Sequence, residues 1–215
     1  EEDLSEKVDV VNCSFGLGTS QAEMFIKPIL KLALLNKEPE QALVDEYTRF
    51  FVNQVTMAQE RFVAMNPEMT FVFAAGNDGK DNSVYPIAPA NIRRNNTITV
   101  AATFVNGTLA PFSNYSADLV DVAAPGVGIV SAVPGDYTME MSGTSQAAPY
   151  IAGVVAKLTD ANPSLKNYEV KEILLGTVDK LKSLEGKVKT GGLVNLDRAE
   201  VAADLVKTIG LSAAI

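Results

Sequence analysis

"SGTSQAAPYIAG", Ser142 to Gly153, decides how the rest of the chain is read. Gly-Thr marks a turn there, and the small residues after it are helix-forming. Ser145 therefore stands at the mouth of a helix, where the first backbone N–H groups lack intrahelical acceptors and the dipole favours negative charge. This is a setting for a nucleophile that attacks a carbonyl carbon. Yet none of the 215 residues is a histidine, so the stretch raises the question of what would activate the serine.

Composition narrows the classes around that question. The chain is 47% hydrophobic and long enough to bury one sizeable core. Its 26 Asp and Glu outnumber 18 Lys and Arg, giving a net charge of -8, and it lacks the basic patches that nucleic acid or an anionic membrane surface requires. No apolar run is long enough to cross a bilayer. The opening "EEDLSEK" has neither an initiator Met nor a basic-then-apolar leader, so the natural start is expected upstream. Cys13, the sole cysteine, excludes an intrachain disulfide and reads as a small buried strand residue within "VDVVNCSFG". Sequons at Asn12, Asn95, Asn106 and Asn114 are read as silent.

Outward from Ser145, four mostly apolar segments read as strands covered on both faces: "VDVVNCSFG", "TFVFAAGNDG", "NTITVAAT" and "LVDVAAPGVGIVSAVPG". Helical stretches alternate with them. From Glu40 to Met65, Leu43, Tyr47, Phe50, Phe51, Val55, Ala58 and Phe62 mark one helix face expected to turn toward the core. "MFIKPILKLALLNKEP" predicts a helix cut short or kinked at Pro28. Further helices are predicted over Gln146 to Ala161 and Asn167 to Leu181, and "TGGLVNLDRAE" leads into a last helix capped at Asn195 or Asp197. Strands feeding helices make an α/β fold with a mostly parallel sheet, its crevice at the carboxyl ends of the strands.

The Gly-rich ends of the first two strands meet the Gly-Thr-Ser turn in that crevice. An oxyanion formed by attack of Ser145 needs donors fixed beforehand. The Ser145 backbone N–H is one, and the side-chain amide of Asn77, ending "TFVFAAGNDG", is the candidate for the other. Ala74, Ala75 and Gly76 leave room for a substrate side chain. Ser14, Phe15 and Gly16 end the first strand where an extended peptide can pair by main-chain hydrogen bonds. Taken singly, Gly-Thr-Ser is an ordinary turn and Asn-Asp-Gly an ordinary loop; together they describe a protease cleft.

Through "SGTSQAAPYIAGVVA", "AAGNDG" and "VVNCSFG", which occur in the family's order, the sequence resembles the subtilisin-like serine proteases. The resemblance continues through "NTITVAAT", "LVDVAAPGVGIVSAVPG" and "TGGLVNLDRAE", and omits an insertion-like helical region of about residues 17–66. It implies a subtilisin-like three-layer fold in which residues 1–215 form a single, partial peptidase domain whose N-terminal part lies outside the chain. It implies Ser145 as nucleophile and Asn77 as oxyanion donor, acting on polypeptide substrates. It assigns Ser14, Phe15 and Gly16 to the substrate-pairing strand and Ala74, Ala75 and Gly76 to a pocket wall. The Tyr85-Pro86 bond resembles a position that is often cis and shapes the far wall, which Val84 would narrow.

Family members carry an Asp and a His upstream of the substrate-binding strand, so the expectation is a missing or second chain that supplies both, and an almost inert chain without it. The related sedolisins use Ser-Glu-Asp without histidine, but they place Asp where this chain has Asn77. No cofactor is required for the chemistry. The family allows structural calcium, whose ligands the sequence does not place. Secretion or a periplasmic location is implied by the resemblance alone. The reading from a different class is an inactive subtilisin-like binding or scaffold protein that keeps the groove without turnover.

Overall fold

The computed structural model describes residues 8–215, so the "EEDLSEK" segment lies outside the described residues. Short apolar strands build a six-stranded sheet: β1 (Val10–Cys13), β3 (Thr70–Ala74), β5 (Thr97–Thr103), β6 (Val122–Pro125), β9 (Asp179–Lys180) and β10 (Gly192–Leu193). Their order is β1-β3-β5-β6-β10-β9, with β9 antiparallel to β10 and the other neighbours parallel. Every residue of β3 and β5 is buried, as near-continuous apolarity predicts for strands covered on both sides.

On one face, Val72, Val100, Ala102 and Ala124 pack under α3 (Thr144–Ala161), with α4 (Asn167–Gly176) and α5 (Leu196–Ile209) beside it. On the other, Phe71 and Phe73 pack with Val63, Ile87 and Ile92. The period-2 alternation of the strands thus sorts large side chains to one layer and small ones to the helix that carries Ser145. Ala147, Ala148 and Ile151 bring that helix close to the sheet. Asn195, of the two cap candidates, is the residue that caps α5, its side chain accepting from Arg198 N at 3.0 Å.

Four expectations are corrected. The helix predicted to be cut short or kinked at Pro28 is not cut short: α1 (Thr19–Ala33) continues past Pro28, which lies on its exposed side, where the carbonyl deprived of a partner meets water. In α2 (Gln41–Met65) the buried stripe is Val44, Thr48, Val52 and Val63; Phe51 and Val55 of the predicted face pack beside it, while Tyr47, Phe50 and Phe62 are exposed. The helix carries two apolar stripes, and the slimmer one lets it approach Ala22 of α1 and Ala88. α4 ends at Gly176 rather than near Leu181, and Val178 is buried beyond it. The segment "LVDVAAPGVGIVSAVPG" is two elements, since Pro125 has no N–H with which to extend the ladder. The chain leaves the sheet there and forms a hairpin of β7 (Ile129–Val133) and β8 (Tyr137–Met141), exposed where burial was expected.

Candidate active site

Three chain segments converge at the carboxyl ends of β1 and β3. Ser145 lies in the first turn of α3, half-buried, and its Oγ donates to the Ser14 carbonyl at 3.2 Å. In return, Ser14 Oγ donates to the Ser145 carbonyl at 2.9 Å. The reciprocal pair ties the end of β1 to the start of α3, so the substrate-strand candidates and the serine share one cleft. Asn77 follows β3 on an exposed loop.

The orientation of Asn77 is enforced by a residue the sequence reading passed over. Thr144 donates to Asn77 Oδ1 from both its backbone N–H and its hydroxyl, each at 2.9 Å. The same hydroxyl accepts from Gly76 N at 3.1 Å. With Oδ1 committed, Nδ2 is left to face outward. A Cβ built on Gly143 would lie 3.6 Å from Asn77 Nδ2 and 3.6 Å from Ser145 N. These donors therefore flank one small space beside Gly143, into which Gln146 also reaches, its Oε1 2.7 Å from the same point. A first-turn amide such as Ser145 N has no intrahelical acceptor, so its hydrogen is available to a ligand there.

The loop beneath Asn77 is held by buried amides. Asn114 Oδ1 accepts from Asp78 N at 2.9 Å and Lys80 N at 3.1 Å, and Asn114 Nδ2 donates to Asn82 Oδ1 at 2.9 Å. Asn82 Nδ2 donates onward to the Ala75 carbonyl at 3.0 Å. Gly76 adopts φ +109°, a conformation that side-chain-bearing residues rarely reach, and a Cβ on it would meet Asn114 Nδ2. No local pattern marks Asn82 or Asn114, because their partners are distant in sequence. Thr144 lay within the Gly-Thr-Ser motif, and only the fold gives it a task.

Of the remaining candidates, Phe15, Gly16, Ala74 and Gly76 line the cleft with Ser14, Asn77 and Ser145. Ala75 is fully buried behind it. Val84 is corrected: it is half-exposed and lines a separate depression with Ser20 and Tyr85. Asp81 explains this, its carboxylate accepting from the Ser83 hydroxyl at 2.7 Å and its carbonyl from Tyr85 N at 2.8 Å, a tight turn that swings Val84 outward. The cis bond is also corrected, from Tyr85-Pro86 to Ala88-Pro89. The two prolines stand three residues apart, and β2 (Leu17–Gly18) pairs with β4 (Ile87–Ala88) just before the second. Among the described residues no three His, Cys, Asp or Glu side chains gather to hold a metal, so no calcium site is assigned to them. Cys13 is buried, and its burial pushes the thiol pKa up.

A parallel sheet crossed by one small-residue helix, with a serine at that helix's start facing a side-chain amide, defines a class, and family comparison agrees. The model of the Subtilase family matches residues 2–196, and the chain belongs to that family. Among curated proteins it is 38% identical over 145 residues to "Alkaline elastase YaB" of Bacillus sp. (strain YaB), covering 67% of this chain and 36% of that protein. It is 35% identical over 144 residues to "Subtilisin BL" of Lederbergia lenta, covering 67% of this chain and 51% of that protein. Among solved structures, the A-subunit of the AB5 toxin from E. coli matches with a TM-score of 0.62 and 25% identity, over 91% of this chain and 60% of that one. A protease from Pseudoalteromonas arctica matches with a TM-score of 0.61 and 26% identity, over 91% and 51% respectively. The chain thus spans between about a third and three fifths of these relatives' lengths.

Proposed function

We propose that this chain is the serine-bearing portion of a subtilisin-like serine endopeptidase, with residues 17–66 as an inserted helical pair. Ser145 attacks the substrate carbonyl and forms an acyl-enzyme. Ser145 N and Asn77 Nδ2 hold the developing oxyanion, and main-chain groups of Ser14 to Gly16 pair with the substrate backbone. The observation that carries this reading is the convergence of both donors on one space, with Asn77 turned by Thr144. Donors fixed in advance cost no reorganisation when charge develops, which makes this the largest single contribution such a site offers.

The base is the missing part. Ser145 Oγ gives its hydrogen to a backbone carbonyl, which cannot carry a proton away, and the chain has no histidine. In this reading, the triad Asp and His come from residues outside these 215, on the same polypeptide or a second one, and the stretch by itself turns over little substrate. A secreted or periplasmic site of action belongs to the same proposal. No helix among the described residues is long and apolar enough to cross a membrane.

Labelling natively purified material with a fluorophosphonate, followed by denaturing mass spectrometry of every polypeptide present, tests this directly. Modification of Ser145 together with a histidine-bearing segment is expected. Unlabelled Ser145 in the presence of that segment would favour the binding or scaffold alternative.

A further inference from the structure

Beside the cleft, across the 78–80 loop and the first turn of α1, lies the depression that Val84 lines. Asp78 and Gln21 border the cleft, while Lys80 and Ser20, close to them in the chain, border the depression. The helical insertion builds most of it: α1 and α2 supply two walls and the 80–85 turn a third. Its volume is about 270 Å³, that of about nine water molecules at about 30 Å³ each.

Two carboxylates, Glu23 and Asp45, and two cations, Arg49 and Lys80, line this hollow. None of the four joins an ion pair among the described residues. Each is held by a neutral group instead. Gln41 Nε2 donates to Asp45 Oδ1 at 2.8 Å and to Glu23 Oε1 at 3.4 Å, joining the two acids. Lys80 Nζ donates to Ser20 Oγ at 3.1 Å and stands 4.7 Å over the Tyr85 ring. Arg49 Nε donates to the Asp45 carbonyl at 3.3 Å. Opposite charges kept apart within one small hollow suit a molecule that carries both signs.

Thr48 supplies a second, independent observation. It lines the same hollow from α2, is 3% exposed, and its Oγ1 has no hydrogen-bond partner among the described residues. A threonine within a helix can return its hydroxyl to the carbonyl four residues back. Thr56 and Thr159 do so, at 2.9 Å and 3.1 Å. Thr48 does not, and a hydroxyl buried without a partner is destabilising. The group serves a ligand better than it serves the fold.

We propose that this hollow binds a small zwitterion, a free α-amino acid or a short peptide. Its ammonium lies on the Asp45 and Glu23 carboxylates, and its carboxylate on Lys80, Arg49 and the Thr48 hydroxyl. A simple anion or cation is disfavoured, since either meets two like charges. The assignment is independent of Ser145, because none of these residues lines the cleft.

Titration calorimetry on the natively purified protein compares L-alanine and L-alanyl-L-alanine with propionate and propylammonium, which carry one charge each. At least one zwitterion should bind with a Kd of about 1 mM or tighter, about tenfold more tightly than either singly charged probe. The tighter of the two zwitterions distinguishes a free amino acid from a peptide. Thr48→Val keeps the shape, breaks no side-chain bond within the protein, and should weaken binding about fivefold. Lys80→Gln and Asp45→Asn, both outside the cleft, should each weaken it about tenfold. A singly charged probe binding as tightly as the zwitterions, no binding by any probe, or binding that all three variants leave unchanged overturns the proposal. Fluorophosphonate labelling of Ser145 is indifferent to all of these outcomes, so this proposal and the protease reading fail separately.

Discussion

Thr144 grips Asn77 through one acceptor atom, its amide and hydroxyl both donating to Oδ1 at 2.9 Å. Because an amide has one acceptor end and one donor end, this choice determines which end faces the cleft. Replacing Thr144 by Val keeps the shape and the backbone bond but removes the hydroxyl. A hydrogen bond of this kind is worth about 1 kcal/mol, so kcat should fall about five- to tenfold with KM little changed, and Thr144→Ser should restore it. Asn77→Ala should cost about 100-fold or more in kcat, the range already known for removing such a donor in a subtilisin. Steady-state kinetics on one peptide substrate, with the segment that supplies the base present, checks both.

Asn114 supports the same loop from below. Asn114→Ala leaves Asp78 N, Lys80 N and Asn82 Oδ1 without their partner. Stranding two part-buried N–H donors and the buried Asn82 amide oxygen should cost about 3 kcal/mol and lower Tm by about 6–12 °C. Calorimetric melting measures this, and an unchanged Tm would show that water replaces the side chain.

Lys171 on α4 reaches Asp121 across the sheet edge, Nζ to Oδ1 3.8 Å, and also donates to the carbonyls of Arg94 and Thr97. Lys171→Met leaves the Asp121 carboxylate buried without a counterion, at a cost of about 3 kcal/mol. Burial lowers the Lys171 pKa from its ordinary 10.5, with Asp121 pulling the other way. Between the folded and unfolded pKa values the unfolded chain binds the extra proton, so the Lys171 contribution to stability rises with pH through that window and is at its lowest below it. Urea unfolding at alkaline pH should show this rise in the parent protein and its absence in Lys171→Met.

Cys13 ends β1 beneath Phe73 and Ile87, 7% exposed, its thiol pKa raised by burial. Since the thiolate is the reactive form, a thiol reagent at neutral pH should modify Cys13 only as fast as the protein opens. Rapid modification of the folded protein would contradict its placement in the core.

Much of this molecule is written locally. Mostly apolar runs ending in Gly, Pro or polar residues identify β1, β3 and β5, and the small residues after Ser145 predict α3, because period and turn chemistry act over a few residues. The order of the motifs carried the family, and the absence of histidine posed the question of the base. Contacts between distant residues settled the rest. The Ser14 and Ser145 pair spans 131 positions. The buried stripe of α2 was chosen by what it packs against, since a helix with two apolar faces cannot rank them alone. Ile87 rather than Val84 lines the cleft, since the Asp81 turn swings Val84 outward. Short-range chemistry fixes which elements form and where a nucleophile can stand, whereas the direction of an amide and the depth of a pocket depend on partners that only folding brings within van der Waals reach.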